Sequence, residues 1–308
     1  MALKEKDITE KLLEDYHDVF ADVANVLLFD GREVIRADEL ENALPVSQLK
    51  LAGGIHGQER DTVKFWKQGA VVIAAIGLEN QTDPDPAMPL RVFSYDGASY
   101  GSQVNRYHSE QKQRKPISPF YPVITLVLYF GYGPWRGPRT LRECFRNLPE
   151  ELEPLVPDYP IRIVEIASLP PERVRQFRSD FRFVADYLVQ TAGGGTYVPP
   201  DDRIIHVDET LGLLGAITGD KSFEDAVNAL AAEGKENVSM CEVVESFRNE
   251  GREEVRREYE AILADNRRVI ADKDRTLADN RRVIADKDRE LEKAQRELKE
   301  LKERFGLT

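Results

Sequence analysis

Two runs of apolar residues, each with the alternation or the β-branched content of a strand, lie between Asp61 and Gln81. The segment reads DTVKFWKQGAVVIAAIGLENQ, and a short turn at Lys67–Gly69 separates its two halves. This pattern predicts an antiparallel hairpin. In such a hairpin Asp61, at the start of the first strand, lies at the same end of the sheet as Glu79, near the end of the second strand.

The two carboxylates at this end of the hairpin need a positive partner. Asp61 and Glu79 repel each other when both are ionised, and a divalent cation between them is a common solution in proteins. The hairpin end is therefore a candidate metal site. The alternative interpretation is a pair of ordinary surface carboxylates near strand ends.

Helical and strand-like patterns alternate through the rest of the first 233 residues. In chain order we expect a helix over 8–28, a strand over 47–51, the hairpin, a helix over 88–107, strands over 123–130 and 161–166, and helices over 171–190, 209–217 and 222–233. Loops are expected over 52–57 and 109–119. The dense β-branched run at 123–130 is typical of a central strand that is buried on both faces. Together these elements predict an α/β fold with a mixed central sheet flanked by helices.

The C-terminal segment contains an internal repeat of two heptads. ADNRRVIADKDRTL at 264–277 recurs as ADNRRVIADKDREL at 278–291. Apolar residues recur every seven positions at Leu263, Ile270, Leu277, Ile284, Leu291, Leu298 and Phe305, whereas the facing position carries Asn266, Lys273, Asn280 and Lys287. The repeat predicts a long helix that pairs with a second copy of the chain as a coiled coil of modest affinity. A single solvated helix held by ion pairs is the alternative.

These patterns divide the chain into three parts. We expect the α/β core over residues 1–190, a helical extension over 191–250 and the coiled-coil-like repeat tail over 251–308. The tail is expected to make the protein a homodimer.

The charge of the chain is strongly acidic. The formal net charge is −12, from 43 basic and 55 acidic residues. The tail from Gly251 holds 16 basic and 15 acidic residues, so the rest of the chain holds 27 basic and 40 acidic residues. A nucleic-acid-binding protein of this charge needs either local clusters of basic residues or weak binding that is bridged by a metal ion. Two such groups are present: Arg106, Lys112, Arg114 and Lys115, and separately Arg136, Arg139, Arg142 and Arg146.

Two cysteines, Cys144 and Cys241, are too few for a disulfide framework and have no metal-ligand spacing. This usage favours a reducing compartment. Neither an apolar run near the N-terminus nor an apolar stretch of about 18 residues occurs. We therefore expect a cytoplasmic protein that does not span a membrane.

The acidic motif of the hairpin resembles that of the PD-(D/E)XK nuclease superfamily, in which an Asp and a Glu-x-Lys on adjacent strands hold a metal ion. Here 17 residues separate Asp61 from Glu79-Asn80-Gln81, and Gln81 stands where lysine is commoner. The segments YHDVFADVANVLLFDG, QERDTVKFW, GLENQTDPDPAMPLRVFSYDGASY, YPVITLVLYFGYGPW and SDFRFVADYLVQ together resemble the recombination-promoting nuclease (Rpn) family of YhgA-like putative transposases. The resemblance extends over about residues 5–255.

The resemblance implies a nuclease-like core and a metal-dependent DNA endonuclease linked to recombination, mobile elements or defence against foreign DNA. Asp61, Glu79 and Gln81 are then the catalytic residues. The two carboxylates and the carbonyl of Asn80 hold Mg²⁺ or Mn²⁺. An acid of the first helix, Asp18 or Asp22, is a candidate supporting residue, and the alternative for both is a solvated polar face.

A second hypothesis comes from a different class of protein. An acidic chain with a decayed nuclease core and an oligomerising coiled coil could act as a non-catalytic interaction protein. The intact Asp61 and Glu79 argue against decay, because a decayed site is expected to lose a ligand.

Overall fold

Strands and helices alternate along most of the chain in the computed structural model, which describes residues 13–43, 46–51, 54–59, 61–233 and 238–305. Their bounds are α1 (His17–Phe29), β1 (Leu40–Asn42), β2 (Val46–Leu51), β3 (Gly54–Glu59), β4 (Thr62–Gln68), β5 (Val71–Gln81), α2 (Met88–Lys112), β6 (Val123–Tyr129), β7 (Arg162–Glu165), α3 (Pro171–Val174), α4 (Phe181–Thr191), α5 (Val207–Thr218), α6 (Ser222–Glu233) and α7 (Met240–Phe305). A helical turn over residues 13–15 precedes α1, with a bend at Tyr16.

Within the described residues, five strands form one mixed sheet in the order β1-β4-β5-β6-β7, and β2 and β3 form a separate two-stranded sheet. β4 runs antiparallel to β1 and β5, whereas β5, β6 and β7 are parallel. The central strands β5 and β6 are buried over most of their length, because helices cover both faces. The expected α/β class and the mixed sheet flanked by helices are confirmed.

The two faces of the sheet are covered by different helices. On one face Met88 and Val92 of α2 pack with Val127 of β6, and Val127 pairs with Glu79. On the opposite face α1 places the ring of Phe20 5.4 Å from the Lys64 Nζ. Because side chains alternate along a strand, Glu79 faces α2 and its neighbour Asn80 faces α1.

Several elements differ from the sequence predictions because tertiary hydrogen bonds replace local ones. The expected helix over 171–190 is split into α3 and α4, since the backbone N–H groups of Arg178 and Ser179 donate to Asp22 Oδ2 at 2.8 and 2.7 Å. The expected loop over 52–57 is wrong over residues 54–57. These residues belong to β3, which pairs with β2 in spite of its glycines.

The boundaries of the other elements shift by smaller amounts. The hairpin turn lies at Gly69 and Ala70, after β4 ends at Gln68. Helix α2 continues to Lys112 and therefore takes the first part of the expected 109–119 loop. The strand expected over 161–166 is shorter, and its residues are exposed or half-buried because β7 is an edge strand. The first part of the expected 8–28 helix, residues 8–12, lies outside the described residues.

The chain divides into two compact units, Met1–Ser246 and Phe247–Thr308. The described residues of the second unit belong to helix α7, so the predicted long C-terminal helix is confirmed. Its apolar residues at seven-residue intervals are 37–60% exposed in the single chain: Leu263, Ile270, Leu277, Ile284, Leu291 and Leu298. The pairing of this helix with a second copy stays a prediction. Among the helices of the described segments, none has the length and apolar character needed to cross a membrane.

Asn25 joins α1 to the loop that follows it. The side chain is 7% exposed and donates from Nδ2 to the Ile35 carbonyl at 2.7 Å. Its Oδ1 accepts from the backbone N–H groups of Val34 and Ile35 at 3.0 and 2.9 Å. The polar face of the first helix is therefore structural at this position rather than solvated.

We expect Asn25→Ala to lower the free energy of unfolding by about 2–4 kcal/mol, because three backbone groups lose their hydrogen-bond partner in a buried place. Urea unfolding followed by circular dichroism measures the loss. Asn105→Ala, at an exposed position of α2, is the matched control and should stay within about 0.5 kcal/mol of the parent. Equal stabilities of the two variants would contradict the structural role of Asn25.

Candidate functional site

The hairpin of β4 and β5 brings Asp61 and Glu79 to the same end of the sheet, as its sequence pattern predicts. Thr62 pairs with Leu78, so Asp61 and Glu79 lie opposite each other, one residue further towards this end of the hairpin. The backbone N–H of Asn80 donates to Asp61 Oδ2 at 2.7 Å. The N–H and C=O of one strand residue point to the same side, so the carbonyl of Asn80 also lies on the β4 side of β5.

Arg91 of α2 places a positive charge against one of the two carboxylates, that of Glu79. The side chain of Glu79 is 0% exposed, and its Oε1 forms an ion pair with Arg91 Nη2. Arg91 also contacts Asp85 Oδ2 through Nη1 at 3.0 Å and donates from Nε to the Tyr95 hydroxyl at 3.4 Å. The protein thus provides a cation of its own beside Glu79, and the binding of a divalent cation at this strand end stays a prediction.

The protonation states at this end of the sheet follow from burial and charge. Burial acts to lower the pKa of Arg91, but the Glu79 carboxylate, Tyr95 and Asp85 outweigh it and raise that pKa above its ordinary value. Burial raises the pKa of Tyr95, and the charges of Glu79 and Asp61 raise it further. Arg91 is thus a permanent cation and Tyr95 a neutral hydroxyl. The charges of both carboxylates raise the pKa of Tyr95, so both carboxylates lie near α2.

A second polar group lies on the opposite face of the same strand end. Asn80 Nδ2 donates to Glu14 Oε2 at 2.8 Å, and both side chains are buried. Thr62 Oγ1 donates to Asp15 Oδ1 at 3.4 Å. The acids of the first helical segment that reach the hairpin are therefore Glu14 and Asp15. The helical periodicity of the sequence does not identify Glu14 as a residue that faces the hairpin, because the bend at Tyr16 separates its helical turn from α1.

The candidate supporting acids Asp18 and Asp22 have partners in another part of the chain. Asp18 Oδ2 lies 3.2 Å from His206 Nε2, and Asp22 accepts the two backbone N–H groups that divide α3 from α4. Neither contact involves the hairpin, and the prediction that one of these acids completes the site stays a prediction. Their positions join α1 to later segments of the chain.

Gln81 lies at the edge of the sheet where three parallel strands end. It pairs with Tyr129 of β6, which in turn pairs with Glu165 of β7. Within the described residues, the buried side-chain oxygens Gln81 Oε1 and Asn80 Oδ1 have no hydrogen-bond partner. A buried acceptor without a hydrogen-bond partner is uncommon in proteins and is often found at functional sites.

The second arginine group lies at this same edge. Arg139 forms an ion pair with Glu165. Arg136 is exposed and near enough to Tyr129 for its charge to oppose the rise in that pKa, which comes mainly from burial. Arg142 instead donates to the Val156 carbonyl at 2.8 Å. Arg136 and Arg139 therefore lie on the side of the sheet where β6 and β7 end, and Arg139 pairs there with Glu165.

The first basic group lies at the far end of α2. Lys112 is the last residue of this helix. The rise of an α-helix places it about 32 Å along the axis from Arg91. Arg106 of the same group bonds to the Pro119 carbonyl at 3.0 Å. This group therefore cannot contact a ligand at the hairpin end unless the ligand is long.

The donor atoms at the hairpin end suit a hard divalent cation. Mg²⁺ is typically held by one or two carboxylates and keeps several waters, and Asp61, Glu79 and the Asn80 carbonyl offer such oxygens. The buried Oε1 of Gln81 could accept a hydrogen bond from a metal-bound water. Within the described segments, no group of three or more His, Cys, Asp and Glu side chains is arranged to hold a metal ion.

No family model, curated protein or solved structure matches the chain. The resemblance to the Rpn nucleases therefore stays a prediction.

We expect Arg91→Met to lower the free energy of unfolding by about 1–3 kcal/mol. The loss of a partner leaves the buried Glu79 carboxylate without its ion pair, but solvent around Arg91, whose side chain is 37% exposed, moderates the cost. Urea unfolding measures the change. Arg91→Lys keeps the charge and should lose less. If both variants unfold at the same urea concentration as the parent, the ion pair does not stabilise the fold.

Proposed function

We propose that the protein is a metal-dependent DNA endonuclease whose active site is the end of the β4–β5 hairpin. The observation that carries the proposal is the juxtaposition of Asp61 and Glu79 on adjacent strands, with the backbone N–H of Asn80 bonded to Asp61. Acidic and carbonyl oxygens at one strand end are the donor set that phosphodiester hydrolysis with Mg²⁺ or Mn²⁺ requires. The resemblance of the Asp61 and Glu79-Asn80-Gln81 motif to the PD-(D/E)XK nucleases supports the same reaction.

Each residue of the proposed site has a distinct role. Asp61, Glu79 and the Asn80 carbonyl would hold the ion, which when bound polarises the scissile phosphate and lowers the pKa of a bound water. Gln81 accepts a hydrogen bond from the attacking water at Oε1 and thereby orients it. Arg91 fixes the buried Glu79 carboxylate, and Asp85 and Tyr95 fix Arg91 in turn.

The substrate is proposed to approach the edge where β5, β6 and β7 end. The exposed Arg136 and the half-exposed Arg139 lie there, and arginine is well suited to contact phosphate oxygens. The chain outside the tail is acidic, so attraction to DNA depends on these few residues. Binding should therefore be weak, with the shallow salt dependence of only a few phosphate contacts.

The tail is proposed to pair with a second copy of the chain. An apolar line of six exposed residues along α7 is a surface that a partner helix would cover. Two copies joined in this way bring two active sites into one particle, which is what cleavage of both strands of a duplex needs.

A non-catalytic interaction protein is the second candidate function. The ion pair between Glu79 and Arg91 favours it, because it compensates the buried carboxylate without any metal ion. In that case the α/β unit is a scaffold, and the exposed line of α7 is the binding surface.

We expect the parent protein to nick supercoiled plasmid in the presence of Mg²⁺ or Mn²⁺. Asp61→Asn and Glu79→Gln should each reduce the rate by about 100-fold or more, since loss of even an outer partner of a metal ligand costs about 10–100-fold. The controls Asp201→Asn and Glu151→Gln alter exposed acids and should keep the parent rate. Parent-like nicking by both site variants would exclude this site, and a parent without metal-dependent nicking would favour the interaction protein.

We expect Arg136→Gln to weaken DNA binding and to reduce the slope of log affinity against log salt concentration by about 1, the effect of one lost phosphate contact. Fluorescence anisotropy with a DNA hairpin whose stem has about six base pairs, about 20 Å long, measures both quantities. Lys112→Gln removes a charge that this stem cannot reach from the active site and should change neither. Equal effects of the two variants would place the DNA elsewhere.

We expect the full-length protein to sediment as a dimer at micromolar concentration. Leu277→Asp combined with Ile284→Asp should shift it to a monomer, because charges in the apolar seam are costly. Arg275→Asp with Arg282→Asp introduces acids at the same spacing on the outer side of α7 and should leave the dimer intact. A parent that sediments as a monomer would show that the apolar line does not pair with itself.

A further inference from the structure

Position 81 lacks a positive charge that the proposed reaction needs. Negative charge develops on the phosphate oxygens during hydrolysis, and a fixed cation beside them is among the largest contributions to catalysis. The resemblance leads us to expect lysine at this position, but the chain has Gln81. A neutral amide can orient water but cannot offset this charge.

Arg91 places a cation at the same strand end from a different element. Its guanidinium contacts Glu79, which lies on the same face of β5 as Gln81, two residues and about 6.6 Å along the strand. The helix that carries Arg91 begins at Met88, seven residues after β5 ends. A short connection thus returns a basic side chain to the strand end.

The surroundings of Arg91 leave it able to contact a ligand. Its side chain is 37% exposed, in contrast to the fully buried Glu79. The hydrogen bonds that the described residues give it, to Glu79, Asp85 and Tyr95, use three of its five N–H donors. These contacts come from three directions and hold the planar group in one orientation, which favours preorganised binding of a phosphate.

We propose that Arg91 binds the scissile phosphate and supplies the positive charge that position 81 lacks. The inference rests on the endonuclease function proposed above. In the reaction a water oxygen forms a bond to phosphorus and one P–O ester bond breaks. The water loses a proton to the solvent, and the leaving sugar oxygen takes one. Arg91 keeps its proton throughout and donates hydrogen bonds to the non-bridging phosphate oxygens.

The test moves the charge from position 91 to position 81 in the full chain. Arg91→Met should reduce metal-dependent plasmid nicking by about 100–1,000-fold, the usual effect of losing one donor to the developing charge. Arg91→Lys should keep a measurable part of the rate. Gln81→Lys added to Arg91→Met should recover at least about tenfold, because a lysine at 81 restores a cation at the phosphate. Circular dichroism checks that each variant is folded at the assay temperature.

Two results would overturn the inference. One is a folded Arg91→Met that nicks at the parent rate. The other is a folded, inactive Arg91→Met that Gln81→Lys does not improve, since Arg91 would then act only through Glu79. If the parent itself does not nick plasmid in Mg²⁺ or Mn²⁺, the endonuclease proposal fails, and this inference fails with it. That outcome is distinct from the two results above, in which the parent is active and only the role of Arg91 is overturned.

A second measurement decides the matter if Arg91→Met does not fold. Lysine has an ordinary pKa of about 10.4, whereas that of arginine is above 12. The rate of Arg91→Lys should therefore fall at alkaline pH where the parent rate holds, within the range in which both proteins stay folded. pH–rate profiles that still coincide above the pKa of the introduced lysine would show that the charge at position 91 takes no part in the reaction.

Discussion

The buried carboxylate of Glu79 constrains the arrangement of the elements around it. A charge removed from water costs several kcal/mol unless a partner compensates it, and Arg91 of α2 is that partner. The register of β4 and β5 is part of the same constraint. A slip by one residue would turn Glu79 to the α1 face of the sheet, away from Arg91. The hairpin register and the docking of α2 therefore depend on one another.

The same strand end is polar on both faces. Asp61, Glu79 and Arg91 lie on the side of α2, whereas Asn80 contacts Glu14 on the side of the first helical segment. Such a concentration of buried polar groups is costly for a structure that only needs a core. It is the physical reason to consider this end of the sheet a functional site, and the ion pair with Arg91 is the reason to test catalysis against a purely structural role.

Local patterns predicted much of the fold because they reflect local physical preferences. The alternation in the hairpin, the β-branched run of β6 and the heptads of α7 each identify an element of the right type. The division of α3 from α4 was not predictable, since it depends on Asp22, which is more than 150 residues away in the chain. Strand β3 was missed because pairing with β2, rather than the propensity of its glycines, determines it.

The sequence by itself determined that Asp61 and Glu79 share one end of a hairpin and that the C-terminal segment is a long helix with an exposed apolar line. Both follow from side-chain periodicity, which is set within one or two neighbouring elements. Only the tertiary structure decided which groups surround the carboxylates. It brought Arg91, Glu14 and the Arg136 region to the strand end and placed Asp18 and Asp22 elsewhere. The direction of a helix and its packing on a sheet control these contacts, and no local pattern encodes either.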